Sequence, residues 1–112
     1  MSESALFWVG SSRDDVRSFP ATARRIVGHQ LHRIQHGLDA TDAKPMPSVG
    51  PGVYELRIRT RGAYRVFYVA KFAEGIYVLH AFQKKTQRTS KADIEMGRQR
   101  LRELHRQRPA RD

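Results

Sequence analysis

Cysteine is absent from all 112 residues, which excludes disulfides and thiolate metal sites and leaves the redox compartment open. No apolar run approaches the roughly 20 residues that a membrane-spanning helix needs. The first residues lack a basic stretch followed by an apolar one, so no secretory signal and a cytoplasmic protein are expected. Acidic side chains are scarce: 11 Asp plus Glu stand against 21 Lys plus Arg, a formal net charge of +10. That imbalance points to an anionic partner, nucleic acid first, with a merely solvated basic surface as the alternative. Repeats and low-complexity segments are also missing. The length suits one domain, residues 1–112, burying roughly two-thirds of the unfolded chain's surface.

The residues that are present centre on 53–85. Three runs rich in β-branched and aromatic residues, 53–60, 63–72 and 76–85, are split by short gaps holding Gly62 and Gly75. This predicts an antiparallel meander. In the first run Tyr54, Leu56 and Ile58 alternate with Glu55, Arg57 and Arg59, the pattern of a half-buried strand. The second run is apolar on both faces and is expected at the centre of the sheet. Arg65 is the exception within it. The third run ends abruptly in polar and basic residues, Lys84, Lys85 and Arg88 among them.

Before the meander, residues 5–9 suggest an edge strand. Ser12 and Asp15 suggest a capping box for a short helix over 13–19 that ends at Pro20. A second helix over 21–36 carries Ala23, Ile26, Val27, Leu31 and Ile34 on one stripe, with Gly37 placed to terminate it. His32 and His36 lie four apart, but no third ligand is near, so they are expected at the surface rather than on a metal. Residues 38–52 hold three prolines and two glycines and are expected to form a loop with neither helix nor ladder. Lys44 lies in it. The last helix, over 91–106, opens with a capping pair, Ser90 and Asp93. Gly97 lies on its apolar stripe with Ile94, Leu101 and Leu104, which suggests close packing on the sheet. Arg98, Arg100, Arg102, Arg106, Arg108 and Arg111 make this end strongly basic, as a solvated face or a nucleic-acid contact, and Pro109 is expected to end the helix.

Several ordered motifs carry a resemblance: Phe19-Pro20, Gln35-His36-Gly37, Lys44, Val53-Tyr54-Glu55-Leu56-Arg57, Tyr64-Arg65-Val66-Phe67-Tyr68-Val69 and Leu79 through Thr86. Together they resemble the HigB-type branch of the RelE/ParE toxin superfamily over nearly the whole chain. The resemblance implies an α+β fold: an antiparallel three-stranded meander plus an N-terminal strand, two helices on one face and a basic C-terminal helix. It implies a type II toxin that inhibits translation by metal-independent, ribosome-dependent mRNA cleavage with no cofactor. Implied partners are mRNA, the ribosome and a cognate antitoxin, expected to be a helix-turn-helix protein.

In that chemistry the ribose 2′-hydroxyl attacks the adjacent phosphate and the 5′-oxygen leaves. It needs a base, an acid and fixed cations. By resemblance Arg65 is the cation on the middle strand. Arg57 and Lys84 complete the catalytic set, and Lys44, Arg59, Lys85 and Arg88 bind RNA. The sequence departs from better-known relatives in having no tyrosine after Tyr77, and His105 does not match in context. Base and acid therefore stay open. Glu55 is a candidate base or an arginine's ion-pair partner. His80 is a candidate acid or a core histidine. Two other functions remain, a ParE-like inhibitor of DNA gyrase and a non-catalytic nucleic-acid-binding module.

Overall fold

The computed structural model describes residues 3–108. The elements in order are β1 (Ala5–Trp8), α1 (Ser12–Arg17), α2 (Ala21–Gln35), β2 (Ala43–Pro45), β3 (Val53–Arg59), β4 (Ala63–Phe72), β5 (Gly75–Lys84) and α3 (Lys91–Gln107). The expected end of α3 at Pro109, and Arg111, lie outside the described residues. Five strands make one mixed sheet, ordered β1-β5-β4-β3-β2. Neighbours from β2 to β5 are antiparallel, and β1 runs parallel to β5. The doubly apolar β4 lies between β3 and β5, where both of its faces are covered.

The sheet separates two cores. On one face α1 and α2 press Val16, Phe19, Ala23, Val27 and Leu31 onto Leu56, Ile58, Val66 and Val78. On the other, α3 brings Leu101 and Leu104 onto Val53, Phe67, Val69 and Leu79. The start of α3 is fixed as its sequence suggests: Ser90 accepts from the Asp93 amide at 3.1 Å and donates to the Asp93 carboxylate at 2.8 Å. Such a cap is worth about 1 kcal/mol. Gly97 is required by packing, since a Cβ there would lie 2.8 Å from Phe67 Cδ2 and 3.0 Å from Val49.

Four local expectations are corrected. Residues 43–45 are not loop but the edge strand β2, paired with 54–56. A proline is tolerated at an edge because the ladder needs no donor on its outer side. Ser11, not Ser12, is the N-cap residue of α1; its hydroxyl donates to Asp15 at 3.0 Å. Ser12 is buried and donates instead to the Val78 carbonyl of β5 at 3.0 Å. The polar face of β3 is not solvated throughout, because Val53 and Glu55 are buried under the α3 side. Finally, Arg100 is not part of a basic surface. It is buried and donates to Val9 O, Leu79 O and Ser11 Oγ, locking α3 to the β1–α1 turn.

Candidate functional site, a cationic cleft at one end of the sheet

Strand register brings the basic residues together. Residues opposite one another on neighbouring strands share a face. One row is Lys44, Glu55, Phe67 and His80; the next is Arg57, Arg65 and Phe82; the third is Arg59, Ala63 and Lys84. Phe67 and Phe82 belong to the core under α3, so all three rows face that side. Beyond the start of α3 the apolar cover ends, and the face continues as Arg57, Arg59, Arg65 and Lys84.

Arg57 and Arg65 stand directly opposite one another, an arrangement that costs free energy unless compensated. Two carboxylates compensate it. Asp42, just ahead of β2, holds Arg57 through Nε at 2.9 Å and NH2 at 2.8 Å, with Arg59 at 3.9 Å. Glu55, 1% exposed, lies 3.7 Å from Arg65 Nε and 3.9 Å from Lys44 Nζ. It also accepts a 2.7 Å hydrogen bond from Thr89. At that depth Glu55 holds Arg65 and ties the 85–90 segment to the sheet.

Arg65 is 5% exposed. Its NH1 donates to the Tyr64 carbonyl at 3.0 Å, while its Nε has no hydrogen-bond acceptor; the 3.7 Å approach to Glu55 is an ion pair beyond hydrogen-bonding reach. Burial lowers its pKa, Glu55 opposes that, and Arg57 and Arg59 add to it. The result is a fixed, under-compensated cation just beneath the surface. Lys84 is likewise lowered, first by desolvation and then by Arg65, and donates to Gln87 O at 2.6 Å. An ammonium pressed in this direction gives up a proton more readily.

Beside Lys84 lies a cleft of about 300 Å³ lined by Lys44, Lys84, Arg88, Thr89 and Ile94 among others; Arg57, Arg59 and Arg65 do not line it. Lys44 is half exposed. Arg88 is exposed, and so is Lys85, which lies one residue past β5 and does not line the cleft. His80 donates or accepts through Nε2 with Asp93 at 2.8 Å and stacks on Phe82 at 4.9 Å, while its Nδ1 is buried without a partner. It is placed under α3 rather than in the cleft.

The sequence pattern gives no role to Asp42 or Thr89. Nothing local marks Asp42 as the partner of Arg57, fifteen residues on. Thr89 could have been noticed as the residue just before the Ser90 cap.

The fold is that of a small mixed-sheet protein with cationic side chains converging at one sheet end. The chain belongs to the phage-derived Gp49-like family (DUF891), whose model matches residues 14–102. That is a RelE/HigB-like, toxin-like family. No curated protein matches the sequence. Among the described residues no helix is long and apolar enough to cross a membrane.

Proposed function

We propose that this chain is the toxin of a type II toxin–antitoxin pair and blocks translation in the cytoplasm by cleaving mRNA on the ribosome. The observation that carries the reading is the convergence of Arg57, Arg59, Arg65, Lys84 and Lys44 on one sheet end, around a buried arginine with an unfilled donor. Family membership adds the toxin role.

In this reading the RNA backbone lies in the cleft against Lys44, Lys84 and Arg88, with Arg59 and Lys85 at its margin. Arg65 stabilises the extra negative charge of the phosphorane. It acts mainly through a fixed charge in a low-dielectric setting rather than through a full two-pronged fork, because it is buried and one nitrogen already serves Tyr64. Arg57 is the neighbouring cation, itself held by Asp42. Lys84 is the group best placed to protonate the leaving 5′-oxygen, and the 2′-hydroxyl gives its proton to solvent water as it attacks. Glu55 and His80 are positioning residues: the first orients Arg65, and the second anchors the start of α3. The chemistry asks nothing of a metal, since cationic side chains supply the charge.

The test is inducible expression of the chain alone in a bacterium. Growth should stop, with messages cut and DNA intact. Continued growth at verified soluble expression would overturn the toxin reading. Arrest with DNA breaks and intact messages would move the target to DNA gyrase.

A further inference from the structure

A groove that the proposed reaction does not use lies on the other face of the sheet, at its other edge. Leu6 and Trp8 of β1, Val16 of α1 and Val27 and Leu31 of α2 line it. Arg13, Arg17 and Arg24 border it. Its volume is about 220 Å³, below the roughly 300–1,000 Å³ of small-molecule sites. It suits large apolar side chains delivered by another protein.

Three observations bear on what occupies it. The first is Gly28, in the middle of α2 and on the wall of the groove. A Cβ added there would meet nothing within 4 Å. Gly97 is demanded by packing inside the molecule; Gly28 is not. A helix-interior glycine gives up about 0.5–1 kcal/mol relative to alanine. Its use beside a groove fits the close approach of a second backbone.

The second is charge. Among the described residues Arg13, Arg17 and Arg24 pair with no carboxylate; Arg24 reaches only the Arg17 carbonyl, at 3.3 Å. The third is position. β1 is the outer strand of the sheet, and its Leu6 and Trp8 are only partly buried against the α2 core.

We propose that this groove docks an amphipathic helix of a partner protein. The helix sets its apolar stripe on Trp8 and Leu31 and its acidic flank against Arg13 and Arg17. Naming that partner as the protein that restrains the toxin rests on the function proposed above; the docking itself does not. Because the groove and the cationic cleft lie on opposite faces, the partner anchors without contacting Arg65 or Lys84.

Trp8 is the sole tryptophan, so its emission reports the groove directly. The probe is a synthetic Leu/Glu peptide with leucines at i, i+3 and i+4 spacing and no aromatic residue, titrated into the full chain. Trp8 emission should shift to shorter wavelength and saturate. Gly28→Leu, with open space for its side chain, should weaken the peptide about tenfold or more, and Arg13→Glu with Arg17→Glu should do the same. Both variants should keep the parent's mRNA cleavage. The same composition with leucines scattered should give no saturable shift.

Absence of binding, binding by anisotropy without a Trp8 response, or parental affinity in Gly28→Leu would overturn the proposal. So would a Trp8 shift that follows protein concentration alone, which would make a second copy the occupant. Loss of the cleavage reading with the Trp8 response intact would remove the toxin assignment and leave the groove standing.

Discussion

The end of the sheet around Arg65 and the junction around Arg100 each bury an arginine, one 5% and the other 9% exposed. Their surroundings differ in one respect. Among the described residues Arg100 pairs with no carboxylate and donates instead to neutral oxygens, two carbonyls at 3.2 Å and the Ser11 hydroxyl at 3.1 Å. Gly10 lies against it with φ of 57°, and a Cβ there would come within 2.5 Å of the guanidinium. Arg65 has a carboxylate beside it, yet its Nε finds no acceptor, and further cations crowd around it. Burial of a cation alone thus does not mark a site. What sets Arg65 apart is a positive charge left under-compensated amid like charges, which acts on a nearby anion through its field rather than through the buried Nε.

This contrast can be sharpened by truncating the closed junction. Arg100→Met keeps most of the volume but removes the donors to the Leu79 and Val9 carbonyls and to Ser11, leaving Val9 O only the Ser12 amide at 3.2 Å. Chemical denaturation should show a loss of about 1–3 kcal/mol, the cost of a buried acceptor deprived of its donor. Cleavage per folded molecule should match the parent. A variant that stays fully stable but stops cleaving would reverse the roles of the two regions.

The two mid-helix glycines give a smaller, signed comparison. Gly97→Ala should destabilise by about 1–3 kcal/mol through overpacking against Phe67 and Val49. Gly28→Ala should stabilise by about 0.5–1 kcal/mol, since the helix gains and nothing clashes. Thermal melts that moved both in the same direction would undo the reading of the groove wall.

The smallest effect belongs to the far end of α3. Arg108 binds Glu74 through NH2 at 3.0 Å and stands 3.7 Å over the Phe72 ring. The hydrogen bond from Arg108 is the first cause holding the Glu74 carboxyl down to about 2 from its ordinary 4.5. A carboxyl whose folded-state pKa is depressed contributes stability above its unfolded value and loses it as pH falls through the folded one. Glu74→Gln should therefore melt below the parent at pH 7. The gap should close as pH drops from about 4.5 towards 2. A gap independent of pH would mean that shape, not charge, holds this corner.

Much of this architecture was legible because its causes are local. The Ser90–Asp93 cap, Gly37 at the end of α2 and the two apolar faces of β4 each depend on neighbours in sequence. β2 was not legible: three residues including Pro45 carry no strand signal, and pairing with β3 is what makes them a strand. Arg100 cannot be told from Arg98 or Arg102 by composition; only the distant Val9 and Leu79 carbonyls decide its burial. Within the site, Arg65 stood out as a charge in an apolar strand. The depth of Glu55 and the role of Asp42 did not, because both follow from register between strands.

The central claim is that Arg65 supplies fixed charge to the transition state. Single-turnover mRNA cleavage on saturating ribosomes tests it most directly, with circular dichroism to verify folding. Arg65→Ala would strand the buried Glu55 carboxylate, so Arg65→Ala with Glu55→Gln is measured beside it, together with Glu55→Gln alone. Both Arg65 variants should associate with ribosomes as the parent does and cleave a hundredfold or more slowly, a loss of about 3–4 kcal/mol. Glu55→Gln, which keeps the arginine, should retain far more of the rate. Parental cleavage by a folded Arg65→Ala chain would contradict the account and make Arg65, like Arg100, a strut of the fold.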